Sequence, residues 1–341
     1  MTVTREDAVR RIVTSRLGGA VISVAPLTGG YSGGSLFRVR ARLADGVRDL
    51  VVKLGRVKGA HDVPDGDALR RVYGARSWSH APTHALLRSR VLPVYDLIAQ
   101  DFPTPDVPYF WVAMSLLHGV DVRGHGERDA NEYAAFHSCC GEALGALHAV
   151  TRAHDGPVDR DTPYHTNWTE SFFTSLDEEL GKGVGLGSVV LAEHEPMLRR
   201  WIEDRRRRWV EPSAYSLSQM DGLQGIARRE AKGWVFQGHV DLEDFSFMDP
   251  RFPLAGFELG AEGIRGHKPI PSSFYEGYRS RFPIDPSFAE ARNVFKLYYL
   301  LSWLYIPYEA RYHSSLEEQR QSIEHHEGAV LALVRDERRP A

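Results

Sequence analysis

An apolar strand that stops on a run of acids constrains this chain more than any other feature. Residues Gln237–Ala255 read QGHVDLEDFSFMDPRFPLA. The strand ends at Val240, Asp241, Glu243 and Asp244 follow at once, and Asp249-Pro250 comes soon after. A strand end holds a carboxylate rigidly, and a rigid carboxylate suits a hard cation such as Mg²⁺. By itself the block reads first as a turn of solvated acids, so its meaning depends on what stands upstream.

Upstream, Arg5–Leu17 carries Ala8, Ile12 and Val13 at helical spacing. Ala20–Leu27 is β-like, and the turn Thr28–Ser35 holds four glycines, Gly29, Gly30, Gly33 and Gly34. Leu36–Leu43 alternates, Asp45-Gly46 is a hairpin signal, and Leu50–Leu54 makes a third strand. The expected product is an antiparallel sheet whose first turn lets backbone N–H groups approach an anion. The spacing is neither GxGxxG nor GxxxxGK[ST], and no helix follows, which excludes a Rossmann fingerprint and a P-loop. Lys53 interrupts an apolar strand. It is either the solvent-facing position of an alternating strand or a cation reaching toward phosphates under the glycine turn.

Further on, Thr83–Val91 reads as helix, Leu92-Pro93-Val94 opens a β-like stretch, and Tyr109–Leu117 is another strand closed by His118-Gly119. Asn131–Val150 is helical, with His148 read as a packed residue. Residues 151–215 are expected to be helices joined by loops, with Gly181–Gly187 as a linker. Ser216–Gly225 is expected to be a polar loop carrying Asp221, and Trp234–Val240 the strand leading into Asp241. The remainder, Phe252–Val334, reads as helical, and the aromatic stretch Phe288–Tyr312 as core.

At 341 residues the chain is long enough for two lobes, since single cores rarely exceed ~250–300 residues. With 43% hydrophobic and 11% aromatic residues it can bury a core. The net charge of −3 gives no reason to expect nucleic acid or an anionic membrane as partner. The only cysteines, Cys139 and Cys140, are adjacent, which argues for a reducing, cytoplasmic protein. The first residues lack a signal-peptide core, and the longest near-apolar run, Leu297–Pro307, is too short to span a bilayer.

A glycine turn between strands, a lysine on the third strand, an Asp loop and a strand ending in Asp-x-Glu-Asp…Asp-Pro stand in a recognisable order. This arrangement resembles the aminoglycoside phosphotransferase and choline kinase-like family, relatives of the protein kinases. WVAMSLLHG (111–119) resembles the family's hinge strand, LGALHAV (144–150) its LxxLH helix, Leu92-Pro93-Val94 its LPVP, and 241–250 its IDWEDA…GDP block. The resemblance implies an α+β, kinase-like fold. It would have a small antiparallel β lobe over residues 1–118 and a larger, mainly helical lobe over 119–341. It also implies ATP (or GTP) and Mg²⁺ as cofactors. Gly29, Gly30, Ser32, Gly33 and Gly34 would cover the phosphates, and Lys53 would pair with the α and β phosphates. Met114, Ser115 and Leu117 would meet the adenine. Asp221 would accept the proton of the acceptor hydroxyl, and Asp241 would hold Mg²⁺.

The chain departs from that pattern in two places. In the catalytic loop, roughly HGDxxxxN in the family, the histidine is Gln219 and the asparagine is Ile226. Glu243 is the first candidate to replace the lost metal ligand and Gln224 the second. In the β lobe a helical Glu should pair with the lysine, yet residues 68–95 contain no Asp or Glu. His84 or Thr83 stands about where it would fall, and Asp62, Asp65 or Asp67 would have to fold back to serve. The acceptor, a hydroxyl on an amino sugar, nucleoside antibiotic or related metabolite, would be met near Tyr164–Trp168 and by Glu258, Glu262 and Arg265. Antibiotic resistance or secondary metabolism would be its setting. The alternatives are a kinase-like protein that binds nucleotide without transfer, or a kinase fold reworked for other chemistry.

Overall fold

The computed structural model describes residues 3–27, 35–55, 80–124, 128–220, 222–262, 269–309 and 313–336. Their strands, in chain order, are β1 (Ala20–Leu27), β2 (Ser35–Leu43), β3 (Gly46–Gly55), β4 (Leu97–Asp101), β5 (Phe110–Ser115), β6 (Val120–Asp121), β7 (Thr151–Arg152), β8 (Gly156–Pro157), β9 (Tyr215–Gln219), β10 (Gly225–Glu230), β11 (Gly233–His239) and β12 (Phe245–Met248). The helices are α1 (Arg5–Arg11), α2 (His80–Ser89), α3 (Ala130–His148), α4 (Trp168–Gly185), α5 (Val189–Arg207), α6 (Arg251–Glu262), α7 (Ser272–Arg279), α8 (Phe288–Ser302), α9 (Tyr305–Tyr308) and α10 (Leu316–Asp336). The expected α+β class is borne out. Among the described residues no helix is long and apolar enough to cross a membrane.

The chain forms two compact units. The first comprises Met1–Asp121, Gly225–Ala231 and Val235–Asp244, and the second Val122–Gln224, Lys232–Trp234 and Phe245–Ala341. Two segments beyond the expected 118/119 division belong to the first compact unit. Their recruitment follows from pairing: Ile226 and Ala227 of β10 pair with Asp121 and Val120 of β6. The His239 N–H also donates to the Pro93 carbonyl at 3.1 Å, where β11 bridges to Val94. The acids after Val240 thus enter the same unit as Lys53.

In that unit, α1 is capped by Thr4, whose hydroxyl accepts the Asp7 N–H at 3.1 Å, and it continues as a π-type turn over Ile12–Arg16. The antiparallel sheet has the order β1-β2-β3-β5-β4. Period-two alternation decides which side chains meet the helix. Phe37, Val39 and Ala41 of β2, Leu50, Val52 and Leu54 of β3, and Trp111 and Ala113 of β5 pack with Ala8, Ile12 and Val13 into one core. Each large apolar side chain so buried stabilises the fold by roughly 1.5–3 kcal/mol. By the same parity Lys53 falls on the opposite face, paired in register with Leu36 and Val112.

The second unit carries the sheet β7-β9-β12-β8 and the longer helices. Tyr215–Gln219, expected within a loop region, is a strand because it pairs along β12, with Leu217 opposite Phe247 and both buried. The glycines 181–185, expected as a linker, end α4 instead. Helices α3 and α7 approach so closely that a Cβ on Gly141 would sit 2.0 Å from the Phe274 carbonyl oxygen, so only glycine fits there. Phe295 of α8 is fully buried, with ring centroids 5.1 Å from Phe172 and 5.2 Å from both Trp209 and Phe252. The aromatic stretch near the C-terminus is therefore core.

Candidate active site

Lys53 is 6% exposed. Its ammonium donates to Asp241 Oδ1 at 2.7 Å and to Glu243 Oε1. Asp241 follows β11 in the left-handed region (φ 53°), where aspartate is tolerated better than most residues. Glu243 lies on the 3₁₀ turn Leu242–Asp244 that comes next. Burial alone would lower the lysine's pKa, but Glu243 and Asp241 outweigh it and hold the ammonium above its ordinary value. Of the two readings of Lys53, the solvent-facing one is excluded: its face of the sheet is covered by acids.

Glu243, the first candidate for a second metal ligand, lies between Lys53 and His80. Its Oε1 meets Lys53, while Oε2 lies 3.1 Å from Nε2 of His80, the first residue of α2. His80 Nδ1 is 2.7 Å from the Tyr95 hydroxyl. With Oε1 on Lys53, Oε2 facing His80 and the side chain 10% exposed, Glu243 stands beside the lysine where a helical acid was expected. The residue of α2 aimed at this pair is His80. His84 instead donates to the Tyr95 carbonyl at 2.9 Å, and Thr83 is simply buried. His80 went unrecognised because histidine carries no charge signature. The signal available was its position one helical turn before His84.

Met114 is buried in β5, paired with Val51 and Leu97. The Ser115 hydroxyl accepts the Asp96 N–H at 2.8 Å, and Leu117 is half-buried just beyond. Gly29, Gly30, Ser32, Gly33, Gly34, Asp62, Asp65, Asp67 and Asp221 lie outside the described residues.

The loop that carries Asp221 is braced on both sides. Gln219, where the family has histidine, is fully buried, and its Oε1 accepts the Gln224 N–H at 3.1 Å. The Tyr299 hydroxyl donates to the Met220 carbonyl. Gly222 has φ 82°, and a Cβ there would lie 2.9 Å from the Phe257 nitrogen. Gly222→Ala is expected to destabilise the second unit by about 1–3 kcal/mol, read as a lower urea midpoint. An unchanged midpoint would mean the loop relaxes freely. Gln224, the second metal candidate, belongs to the second unit and is 2% exposed. Ile226 is in β10.

Of the acceptor candidates, Glu258 is 1% exposed and committed to the interior of the helical unit. Its carboxylate lies 3.1 Å from Lys296 Nζ and 3.2 Å from Arg292 Nε, and it accepts from the Tyr275 hydroxyl. A carboxylate held by two cations and a phenol is an internal anchor, so the expectation that it faces substrate is corrected. Glu262 ends α6, and Arg265 lies outside the described residues.

Comparisons with known proteins bear on the fold. A family model for fructosamine kinase matches residues 245–324, all in the second unit. A probable ketoamine kinase of Pasteurella multocida (strain Pm70) is 24% identical over 172 residues, 48% of this chain and 55% of the relative. The match thus spans about half the length of that curated relative. Among solved structures, a thermostable mutant of aminoglycoside phosphotransferase APH(4)-Ia, in ternary complex with ADP and hygromycin B, superposes with TM-score 0.58 at 15% identity, covering 98% of this chain and 100% of that one. Macrolide 2′-phosphotransferase MphH from Brachybacterium faecium gives 0.57 at 18%, covering 98% and 99%. A protein of Haemophilus somnus 129PT with a provisional fructosamine-3-kinase assignment gives 0.54 at 14%, covering 94% and 96%. The likeness is one of fold: the chain has the protein kinase-like fold of the aminoglycoside phosphotransferases, as its motifs implied.

Proposed function

We propose that this protein is a small-molecule phosphotransferase, moving the γ-phosphoryl group of ATP (or GTP) to a hydroxyl of a sugar-derived amine or related metabolite. The observation that carries the reading is the 2.7 Å contact of Lys53 with Asp241, in one compact unit of a kinase-like fold. One ammonium and two carboxylates leave this set with a net charge of −1. A bare triphosphate would be repelled there, whereas a triphosphate arriving with a divalent cation would be accepted. Asp241 fits such a cation: it is an oxygen donor whose side chain is 31% exposed. Among the described residues no group of three or more His, Cys, Asp or Glu could hold a metal. Mg²⁺ needs none, since it takes one or two carboxylates and completes its shell with phosphates and water.

When bound, Mg²⁺ would neutralise charge on the transferring phosphate. Lys53 would hold the α and β phosphates, with Glu243 fixing its ammonium. Asp221 would take the proton of the acceptor hydroxyl as its oxygen bonds to phosphorus and ADP leaves. Ketoamine sugars are the first acceptors to try, because the fructosamine kinase model and the Pasteurella relative both point to that chemistry. Aminoglycosides and macrolides follow from the solved structures. Two adjacent cysteines, Cys139 and Cys140, fit a cytoplasmic setting.

The test is product mass. Incubation with ATP, Mg²⁺ and a panel of ketoamines, amino sugars and macrolides should add one phosphate to an acceptor, with EDTA and Asp221→Ala each abolishing the gain. A panel with no product, from a protein that still binds ATP, would replace this reading with that of a nucleotide-binding protein.

A further inference from the structure

We propose that His80 is a positioning residue that takes the place of the missing helix carboxylate. It holds Glu243 from behind so that Glu243 keeps Lys53 oriented, and Tyr95 sets its tautomer. The inference rests on the kinase reading above, in that Lys53 is what must be oriented.

The argument starts from a histidine with no exposed surface. Nε2 is 3.1 Å from Glu243 Oε2 and Nδ1 is 2.7 Å from the Tyr95 hydroxyl. A carboxylate is acceptor-only, so Nε2 must carry the proton for this approach to be favourable. Nδ1 is then an acceptor, and the Tyr95 hydroxyl has to donate to it. One tautomer therefore sets a donor opposite an acceptor at every link of the string Tyr95–His80–Glu243–Lys53. Its electrostatics agree. Burial depresses the pKa of His80 despite the pull of Glu243, keeping the ring neutral. Burial, with Glu243 and Asp241, pushes the Tyr95 phenol well above its ordinary value, keeping it a donor.

Among the described residues, neither His80 Nε2 nor Glu243 Oε2 has a hydrogen-bond partner of good geometry, and the two face each other at 3.1 Å, off the ideal direction. Two buried polar atoms left facing each other make the stiffest use of both when they pair. No other residue of α2 offers that pairing: the helix has no acid, and His84 is turned to the Tyr95 carbonyl. The titratable groups facing His80 are Tyr95, Glu243, Asp241, Lys53 and His84.

The arrangement has a consequence for turnover. Lys53 is shared between Asp241 and Glu243. If Asp241 were to hold a metal, its share of Lys53 would weaken and Glu243 would carry more of the ammonium's orientation, so a carboxylate free to swing would loosen it. His80 matters most at that moment.

The experiment compares His80→Ala, His80→Gln and Tyr95→Phe with wild type in two readouts. The first is kcat and ATP KM. The second is the rate of Lys53 modification by an amine-acylating reagent, read by peptide mass, which requires no activity. His80→Ala should lower kcat by about tenfold, the scale seen for residues that orient a site ligand, with ATP KM changing far less. Its Lys53 should be modified several-fold faster. His80→Gln, whose amide can donate where Nε2 does, should recover most of both, and Tyr95→Phe should fall between. Equal Lys53 modification in wild type and a folded His80→Ala, or a glutamine no better than alanine, would overturn the proposal. If His80→Ala does not fold, His80→Gln and Tyr95→Phe decide it by the same measures. A wild type that transfers no phosphate would sink the kinase reading, while the Lys53 arm still judges His80.

Discussion

Asp241→Asn is expected to lower kcat of phosphoryl transfer by about 10²–10³-fold, the loss of roughly 3–4 kcal/mol that follows removal of one electrostatic stabiliser. Asparagine is the informative choice. It tolerates the left-handed backbone at φ 53° as readily as aspartate, so the turn into Glu243 survives and only the charge is lost. Lys53 keeps Glu243 as a partner, and the set goes from a net charge of −1 to neutral, so the protein should remain folded with little change in melting temperature. The defect should be partly relieved by raising Mg²⁺, because a weakened metal site fills at higher concentration, and calorimetry should show ATP binding less dependent on the metal. An Asp241→Asn protein with wild-type kcat at all Mg²⁺ concentrations would remove Asp241 from the metal role.

The block after Val240 was legible because its chemistry is local: a strand end, three acids and a fixed spacing need no knowledge of the fold. The same holds for the sheet parity that separates Lys53 from Val52 and Leu54. What Glu243 does was not legible. Its two possible duties, metal ligand or lysine partner, differ only in which way the side chain turns, and that depends on His80 arriving from a helix far away in sequence. The compact units differ from a contiguous division at 118/119 for a related reason. The segments 225–231 and 235–244 join the first unit through pairing with β6 and the Val94 region, and long-range pairing leaves no mark on composition. Glu258 misled because an acid on an amphipathic helix looks like a surface group. Its cations, Arg292 and Lys296, stand four residues apart on a different helix, α8, and are visible only once that helix packs against α6.

Arg251→Met is expected to cost about 3–5 kcal/mol of stability, the penalty for breaking a buried ion pair by removing one partner. Arg251 and Asp249 are 2% and 0% exposed. The guanidinium grips both carboxylate oxygens, at 2.9 Å from Nε to Oδ1 and 2.6 Å from NH2 to Oδ2. It also donates to the Val210 carbonyl at 2.8 Å and to the Ser287 hydroxyl, and lies over the Trp209 ring. Methionine fills much of the stem's volume, so the loss should come chiefly from the stranded carboxylate. That origin predicts a pH signature. Burial already pushes the Asp249 pKa up, and Arg251 is the main opposing influence. Without it the folded-state pKa rises further above the unfolded value, so the carboxylate destabilises the fold at neutral pH. The deficit should shrink as pH falls and Asp249 takes up a proton. Urea titrations of wild type, Arg251→Met and the double variant Asp249→Asn/Arg251→Met at pH 7 and pH 5 check this. The double variant should regain a large part of the loss and show little pH dependence. If it is no more stable than Arg251→Met, the cost lies in the packing and hydrogen bonds around Trp209, Val210 and Ser287 rather than in the orphaned charge.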